Sequence, residues 1–260
     1  YVALSFVQTA DDINNLRQIL VANGSTAQII AKVETKSAII DKNLVEIVKV
    51  SDGVMVARGE AAVEAGAEVV PIVQRRIIEL CRKHGKLCVV ATQMMSSMIA
   101  SPEPTRAEVS DVSNAVVQGA DAVMLSDETA NGDYPVETVE AMKKVILYTQ
   151  NHEPVQIIEE EKDLKVENYD AISIAAVDLA ERLNAKAIIA ETKSGTTAAS
   201  IATHRPNLTI VSATSELRTA QQLSLCYANR SYVRSDCQDY GYSLAKELKQ
   251  QGYFGEKPAT

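Results

Sequence analysis

Histidine is scarce: His84, His152 and His204 are the chain's three, and they are scattered. A zinc site or a Ser-His-Asp triad therefore has little to draw on. Cysteine is also sparse; Cys81, Cys88, Cys226 and Cys237 include no C-x-x-C pair, and the first two lie in apolar surroundings. They are expected to be free thiols in a reducing cytosol, so a cytoplasmic protein is expected. Positive charge is in deficit. The formal net charge of −8 excludes non-specific nucleic-acid binding, which needs a basic face to displace counterions. No apolar run approaches the roughly 20 residues of a membrane helix, and no signal peptide is evident. An initiating methionine is lacking too. The first residues already read as an apolar strand, and Gly255-Glu256-Lys257-Pro258 reads as the lead into another. The chain is expected to be a piece of something longer.

What is present is a repeated α/β pattern, with 46% hydrophobic residues, ample for a substantial core. Val89-Val90-Ala91 reads as a buried strand stopping at Thr92-Gln93. The loop Ser101-Pro102-Glu103-Pro104 then delivers Thr105, three residues before Glu108. That spacing is a capping box, each side chain taking a backbone N–H near the other residue. Val109, Val112 and Val116 follow at helical spacing, and Ala122-Val123-Met124-Leu125 makes the next strand, stopping at Ser126-Asp127-Glu128. Strand, helix and strand in this order form the crossover unit of a parallel sheet.

The same unit recurs upstream. Ala3 to Val7 is a strand; Thr9 with Asp12 opens a helix carrying Ile13, Leu16 and Leu20 that Gly24 closes. Gln28 to Ala31 is a strand ending at Lys32 and Glu34. A helix through Leu44, Ile47 and Val48 precedes the strand Val54 to Ala57, which ends at Arg58-Gly59-Glu60. Pro71 sits in a first helical turn, ahead of Val73, Ile77, Leu80 and Cys81, and Gly85 closes this helix beside His84, where a cationic or polar group is favourable. Pro135 starts another helix with Val139, Met142 and Ile146 on its stripe. Strands apolar throughout, with polar tips, suit a parallel sheet covered on both faces. About five strands are counted, short of the eight of a closed barrel. The sheet is either open or a barrel lacking upstream strands.

Residues 151–167 change character: Glu159-Glu160-Glu161-Lys162-Asp163 is a solvated charged run, read as an acidic linker. It separates a first domain, 1–150, from a second α/β domain, 168–260. In the latter, Ile172, Ala176, Leu179 and Leu183 are expected to form one helix face. Ala187 to Ala190, Leu208 to Val211 and Tyr232-Val233 are the strands; Ile201, Ala220 with Leu223, and Leu244 with Leu248 mark the helices.

The tips of the first domain carry the chemistry. Lys32 with Glu34, Glu60, Thr92, and Ser126 with Glu128 all stand at strand ends of one sheet. Two carboxylates and a lysine suit a Mg²⁺ that shares its shell with an anionic, oxygen-rich substrate; equally, they suit a structural ion-pair network. N–H groups at a helical turn beginning near Gly59 would favour a carboxylate or phosphate. In the second domain, Thr192-Lys193-Ser194-Gly195-Thr196-Thr197 follows a strand and opens a helix, either as a phosphate cradle or as a capped polar turn.

Taken together, Ala31-Lys32-Val33-Glu34, Val56-Ala57-Arg58-Gly59-Glu60, Ala91-Thr92-Gln93-Met94, Pro104-Thr105-Arg106-Ala107-Glu108 and Met124-Leu125-Ser126 through Thr129 resemble the pyruvate kinase family, in its order and at its spacing. The resemblance extends over nearly the whole chain. It implies an α/β fold: a partial (β/α)₈ TIM barrel of about five of the eight units, followed by a smaller three-layer α/β domain. It implies glycolytic phosphoryl transfer from phosphoenolpyruvate to ADP, giving pyruvate and ATP, with the fragment alone expected to be inactive. Lys32 would stabilise the phosphoryl group in flight, with Thr92 and Ser126 near the proton that the enolate receives. Glu34 and Glu60 would be the Mg²⁺ ligands. Arg58, Gly59, Glu60 and Thr92 would bind substrate. The K⁺ site of the family would lie outside this chain. The loop from Thr192 to Thr197 would hold a phosphorylated allosteric effector. A homotetramer is implied for the full-length protein, with Thr105 to Val116 near a subunit interface.

The chain departs from the family at Gly59-Glu60-Ala61-Ala62, where Gly-Asp-Leu is usual, and at Asp127, where glycine is frequent. The extra methylene of Glu60 must be absorbed by a shell that tolerates contacts of only about 2.0–2.1 Å. Two other readings compete: a non-catalytic remnant binding a phosphorylated metabolite or partner subunit, and a Mg²⁺ barrel enzyme of carbon–carbon cleavage. The pairing of Lys32 with Glu34 favours phosphoryl transfer over the latter.

Overall fold

The computed structural model describes residues 1–153, 155, 168–235 and 239–255. The chain divides into two compact units, Tyr1–Ile158 and Glu159–Thr260. Most of the expected linker, the acidic run inside it, Cys237 and the lead after Gly255 lie outside the described residues.

In the first unit, β1 (Val2–Leu4), β2 (Ile29–Val33), β3 (Gly53–Ala57), β4 (Leu87–Ala91) and β5 (Ala122–Met124) are all parallel, in the spatial order β1-β2-β3-β4-β5. Each strand lies beside its successor, and the order never reverses. With right-handed crossovers, such an order puts every connecting helix on the same face, as in a barrel wall, whereas a doubly wound sheet reverses order partway. The helices are α1 (Ala10–Ala22), α2 (Asp41–Val50), α3 (Arg58–Ala65), α4 (Val70–Lys83), α5 (Arg106–Gln118), α6 (Asp127–Ala130) and α7 (Pro135–His152).

Strand alternation sorts the side chains. Ala31, Val33, Val54, Val56, Cys88 and Val90 pack into one core with Ile13, Leu44, Ile47, Ile77 and Cys81 of the helices. Ile30, Lys32, Met55 and Val89, of the opposite parity, belong to the other face of the sheet. Lys32 is thereby placed away from the helices. The capping box at Thr105 is present, and Gly119, at φ 85°, ends α5 in the left-handed conformation that a glycine adopts without strain. The α7 stripe differs from expectation. Thr138, Met142 and Thr149 are buried, while Val139 is 51% exposed.

In the second unit, α8 (Asn168–Arg182), β6 (Ala187–Glu191), α9 (Thr196–Thr203), β7 (Thr209–Thr214), α10 (Leu217–Leu223), β8 (Asn229–Val233) and α11 (Tyr240–Gln250) build a parallel sheet in the order β6-β7-β8. Leu244 and Leu248 of α11 cover Val211 and Ala213. Ile210, Ser212 and Thr214, of the other parity, are buried as well, so both faces are covered. The expected face of α8 is corrected. Ile172, Leu179 and Leu183 are exposed, and the buried residues are Ser173, Val177 and Ala180. Small side chains let α8 approach α9 closely enough for the Ser200 hydroxyl to donate to Ser173 Oγ at 2.8 Å. Cys81 and Cys88 are buried, and Cys226 is half-buried. Among the described residues no helix is long and apolar enough to cross a membrane.

Candidate active site

The register Val33↔Val56, Ala57↔Ala91 and Ala91↔Met124 brings the carboxyl ends of β2 to β5 level with one another. Lys32 is the penultimate residue of β2 and Glu34 follows its end, next to the strand that leads into α3 and Glu60. The Lys32 ammonium donates to Ser5 Oγ at 2.9 Å. It also stands 3.3 Å from Glu34 Oε2, outside hydrogen-bonding geometry. The Phe6 N–H donates to Glu34 Oε1 at 2.6 Å, which fixes the carboxylate. Oε2 is buried and accepts no hydrogen bond in the structure. Glu60 is exposed in the first turn of α3. Among the described residues no group of three or more His, Cys, Asp or Glu side chains could hold a metal.

The loop after β4 is strained. Thr92 and Gln93 both have positive φ, 70° and 54°, costly for non-glycine residues and above all for β-branched threonine. Arg58 holds them there. It is 8% exposed and donates to Thr92 O at 2.8 Å, Gln93 O at 3.2 Å and Asp111 Oδ1 at 2.7 Å. Gln74 Oε1 and Met94 Sδ take further contacts. Its N–H groups all donate within the protein, which gives Arg58 a positioning role on the Thr92 loop. Thr92 and Gly59, expected side by side as carboxylate binders, are bonded to each other: the Gly59 N–H donates to Thr92 Oγ1 at 2.8 Å, while the hydroxyl donates to Ala91 O at 2.7 Å.

Two buried or half-buried carboxylates complete the frame. Glu108 accepts from the N–H and hydroxyl of both Thr105 and Ser97. Burial alone would raise its pKa; the hydrogen bonds from Ser97 and Thr105 outweigh this and hold it below the usual carboxylate range. Glu128, 2% exposed, accepts from Met95 N–H at 3.1 Å and Ser126 N–H at 2.8 Å, tying the β4 and β5 tips together. The sequence marked Glu128 as a tip carboxylate but not as a bridge, and it gave no sign of Asp111. At His84, the C-cap of α4, burial first, then Lys49, Lys83 and Lys86, lower the pKa below the usual imidazole range.

In the second unit, the loop from Thr192 to Thr197 splits. Thr192 is buried, and its Oγ1 accepts from the Gly195 N–H at 3.0 Å; the Thr196 N–H reaches Ser194 Oγ at 3.4 Å. Those N–H groups are capped from within. Gly195, at φ 90°, is also buried, with Thr219 and Leu223 packed where a Cβ would go. Lys193, Ser194, Thr196 and Thr197 are exposed at the start of α9.

Residues 1–139 match the family model described as pyruvate kinase, barrel domain, and residues 170–257 match the pyruvate kinase alpha/beta domain. A pyruvate kinase of Agrobacterium vitis is 44% identical over 246 residues, covering 94% of this chain and 50% of that protein. One of Methanocaldococcus jannaschii is 40% identical over 243 residues, 92% and 53% respectively. The crystal structure of a pyruvate kinase from Cryptosporidium parvum superposes with a TM-score of 0.90 at 36% identity, covering 99% of this chain and 54% of that one. The chain spans about half the length of the curated relatives it matches.

Proposed function

Because the chain belongs to the pyruvate kinase family, we propose that, within a protein of the family's full length, its first unit carries out phosphoryl transfer between phosphoenolpyruvate and ADP, giving pyruvate and ATP. One observation carries the reading. Glu34 Oε2 is buried, accepts no hydrogen bond, and lies 3.3 Å from a lysine ammonium at a strand tip. The ion pair with Lys32 offsets part of the cost of burying that oxygen but leaves it without a hydrogen bond, a deficit of about 1–3 kcal/mol. An acceptor left open beside a fixed cation suits a site that receives both a metal and an anion.

Glu34 and Glu60 are the proposed Mg²⁺ ligands. When bound, the ion would neutralise charge on the substrate's phosphoryl and carboxylate oxygens. Lys32, steadied by Ser5 and Glu34, supplies a positive charge already oriented where the phosphoryl group passes, with no reorganisation to make at that moment. The Gly59 N–H and the Thr92 hydroxyl exchange their mutual hydrogen bond for the substrate carboxylate, joined by the Glu60 N–H at the start of α3. Thr92 and Ser126 hold the proton near the enolate. Arg58 keeps Thr92 in its strained conformation through the Thr92 and Gln93 carbonyls. K⁺ belongs to the full-length protein and is held by none of these residues. A cytoplasmic homotetramer is the proposed assembly. Lys193 with the exposed hydroxyls of Ser194, Thr196 and Thr197 is the proposed contact for the phosphate of an effector.

The test is pyruvate formation from phosphoenolpyruvate and ADP as a function of Mg²⁺, in a full-length protein carrying this chain. The wild type is expected to turn over only with the metal. Glu60→Asp, which restores the family's shorter carboxylate, should lower the half-saturating Mg²⁺ concentration by about tenfold, ~1.4 kcal/mol. No pyruvate at saturating Mg²⁺ would reject the function. An unchanged or raised half-saturation in Glu60→Asp would reject the strained ligation assigned to Glu60.

A further inference from the structure

Among the described residues Glu128 is the buried charge at the strand tips to which phosphoryl transfer gives no task. It is also the most completely enclosed after Glu34, at 2% exposure against 1%, and among the described residues no cation pairs with it. A buried carboxylate without a counter-ion needs hydrogen bonds to remain charged. Glu128 takes its hydrogen bonds from two different loops: Oε1 from the Met95 N–H after β4, and Oε2 from the Ser126 N–H after β5. Both loops bear a hydroxyl assigned to the enolate proton, Thr92 on the first and Ser126 on the second.

The surroundings are built to keep this bridge in place. Met94 and Met95 of the first loop, and Met98 just after them, are wholly buried. At Gly132 a Cβ would meet the Glu128 carbonyl oxygen at 2.5 Å and Ile99 Cα at 3.2 Å, so only glycine lets the chain pass so close to α6. The Asp133 N–H returns to Ile99 O at 2.8 Å. The first loop is therefore gripped twice, with Arg58 holding the Thr92 and Gln93 carbonyls and Glu128 holding the Met95 N–H. Only the second grip reaches Ser126.

We propose that Glu128 is a positioning residue for enolate protonation, fixing the separation of the Thr92 and Ser126 hydroxyls by binding one backbone N–H from each of their loops. The inference rests on the phosphoryl-transfer reading above. In the step concerned, the enolate carbon–carbon π electrons form a new C–H bond with a hydroxyl-held proton, and the donor is reprotonated from water. Glu128 makes and breaks no bond in it. Its substitution should therefore impair protonation while sparing the binding of metal and phosphoenolpyruvate, because Lys32, Glu34, Gly59 and Glu60 stand on or after β2 and β3 and the remaining substrate contact, Thr92, keeps its own hold from Arg58.

The experiment compares wild type, Glu128→Gln and Glu128→Asp in a full-length protein. Exchange of the methyl protons of pyruvate with deuterated water reports the protonation step in reverse. Glu128→Gln places an amide NH₂ against one of the two N–H donors, and Glu128→Asp is one methylene too short to span both loops. Each is expected to slow methyl exchange by about 10²-fold, the cost of misplacing reacting groups by about 1 Å. KM for phosphoenolpyruvate and half-saturating Mg²⁺ should stay within about twofold, a split that general loosening of the fold would not produce. Exchange at the wild-type rate in either variant, or KM and Mg²⁺ dependence moving together with it, would overturn the proposal. Should the variants fail to fold, hydrogen exchange of the wild-type backbone decides. Protected Met95 and Ser126 amides support the bridge, and amides exchanging like open loop overturn it. A wild type with no methyl exchange at all removes the underlying function; exchange equally fast in wild type and Glu128→Gln removes the positioning role alone.

Discussion

Lys32→Met in a full-length protein carrying this chain is expected to lower kcat for pyruvate formation by about 10³-fold, ~4 kcal/mol, with KM for phosphoenolpyruvate little changed. Methionine keeps the length and most of the volume of the lysine stem, so the strand tip should retain its packing. What disappears is the ammonium that donates to Ser5 and neighbours Glu34. A cation fixed near the path of the transferring group acts chiefly on the transition state, so its loss falls on kcat more than on binding. Lys32→Arg should rescue poorly, because a planar guanidinium cannot replace a compact point charge at the same spot. Steady-state kinetics with saturating Mg²⁺ is the measurement, and a Lys32→Met enzyme within about tenfold of wild type would reject the role.

Arg58→Met is expected to destabilise the first unit by about 2–4 kcal/mol. The guanidinium leaves behind the Thr92 and Gln93 carbonyls and the Asp111 carboxylate, all of which lose a charge-assisted partner. The positive φ values at Thr92 and Gln93 then persist without the contacts that impose them, and conformations of this kind cost about 1–3 kcal/mol each. Asp111→Asn should be milder, because Arg58 keeps both carbonyl bonds and Asp111 is more exposed, with its side chain 36% accessible against 9% for Arg58. Denaturant unfolding of the two variants beside wild type gives the comparison. A cost under about 1 kcal/mol for Arg58→Met would show that the loop keeps its shape without the clamp.

The parts of the fold legible in the sequence are those set by local periodicity. Val89-Val90-Ala91 and Val54 to Ala57 read as strands because a sheet covered on both faces needs unbroken apolar runs. The stripe through Leu44, Ile47 and Val48 and the box at Thr105 and Glu108 are readable for the same local reason. The α8 face departs from the sequence expectation because its large side chains are not the buried ones. Ser173, Val177 and Ala180 satisfy helical spacing equally well, and close helix packing selects the smaller set. At the site, residue types and their order pointed to Lys32, Glu34 and Glu60. The Arg58 clamp was invisible because its partners are remote in sequence, Thr92 by 34 positions and Asp111 by 53. Nor does any glycine mark the strained turn at Thr92 and Gln93. Glu108 shows the same limit. Its bond to Thr105 was readable at three residues, whereas its bond to Ser97 spans a loop.

The most direct measurement locates the metal. Crystals of a full-length protein carrying this chain, grown with Mn²⁺ in place of Mg²⁺ and with a phosphoenolpyruvate analogue, would reveal the ion by anomalous scattering. The expected result is an anomalous peak coordinated by Glu34 Oε2 and a Glu60 carboxylate oxygen, with the analogue's phosphoryl oxygens between the ion and the Lys32 ammonium. An ion bound elsewhere, with Glu34 Oε2 still facing only Lys32, would contradict it.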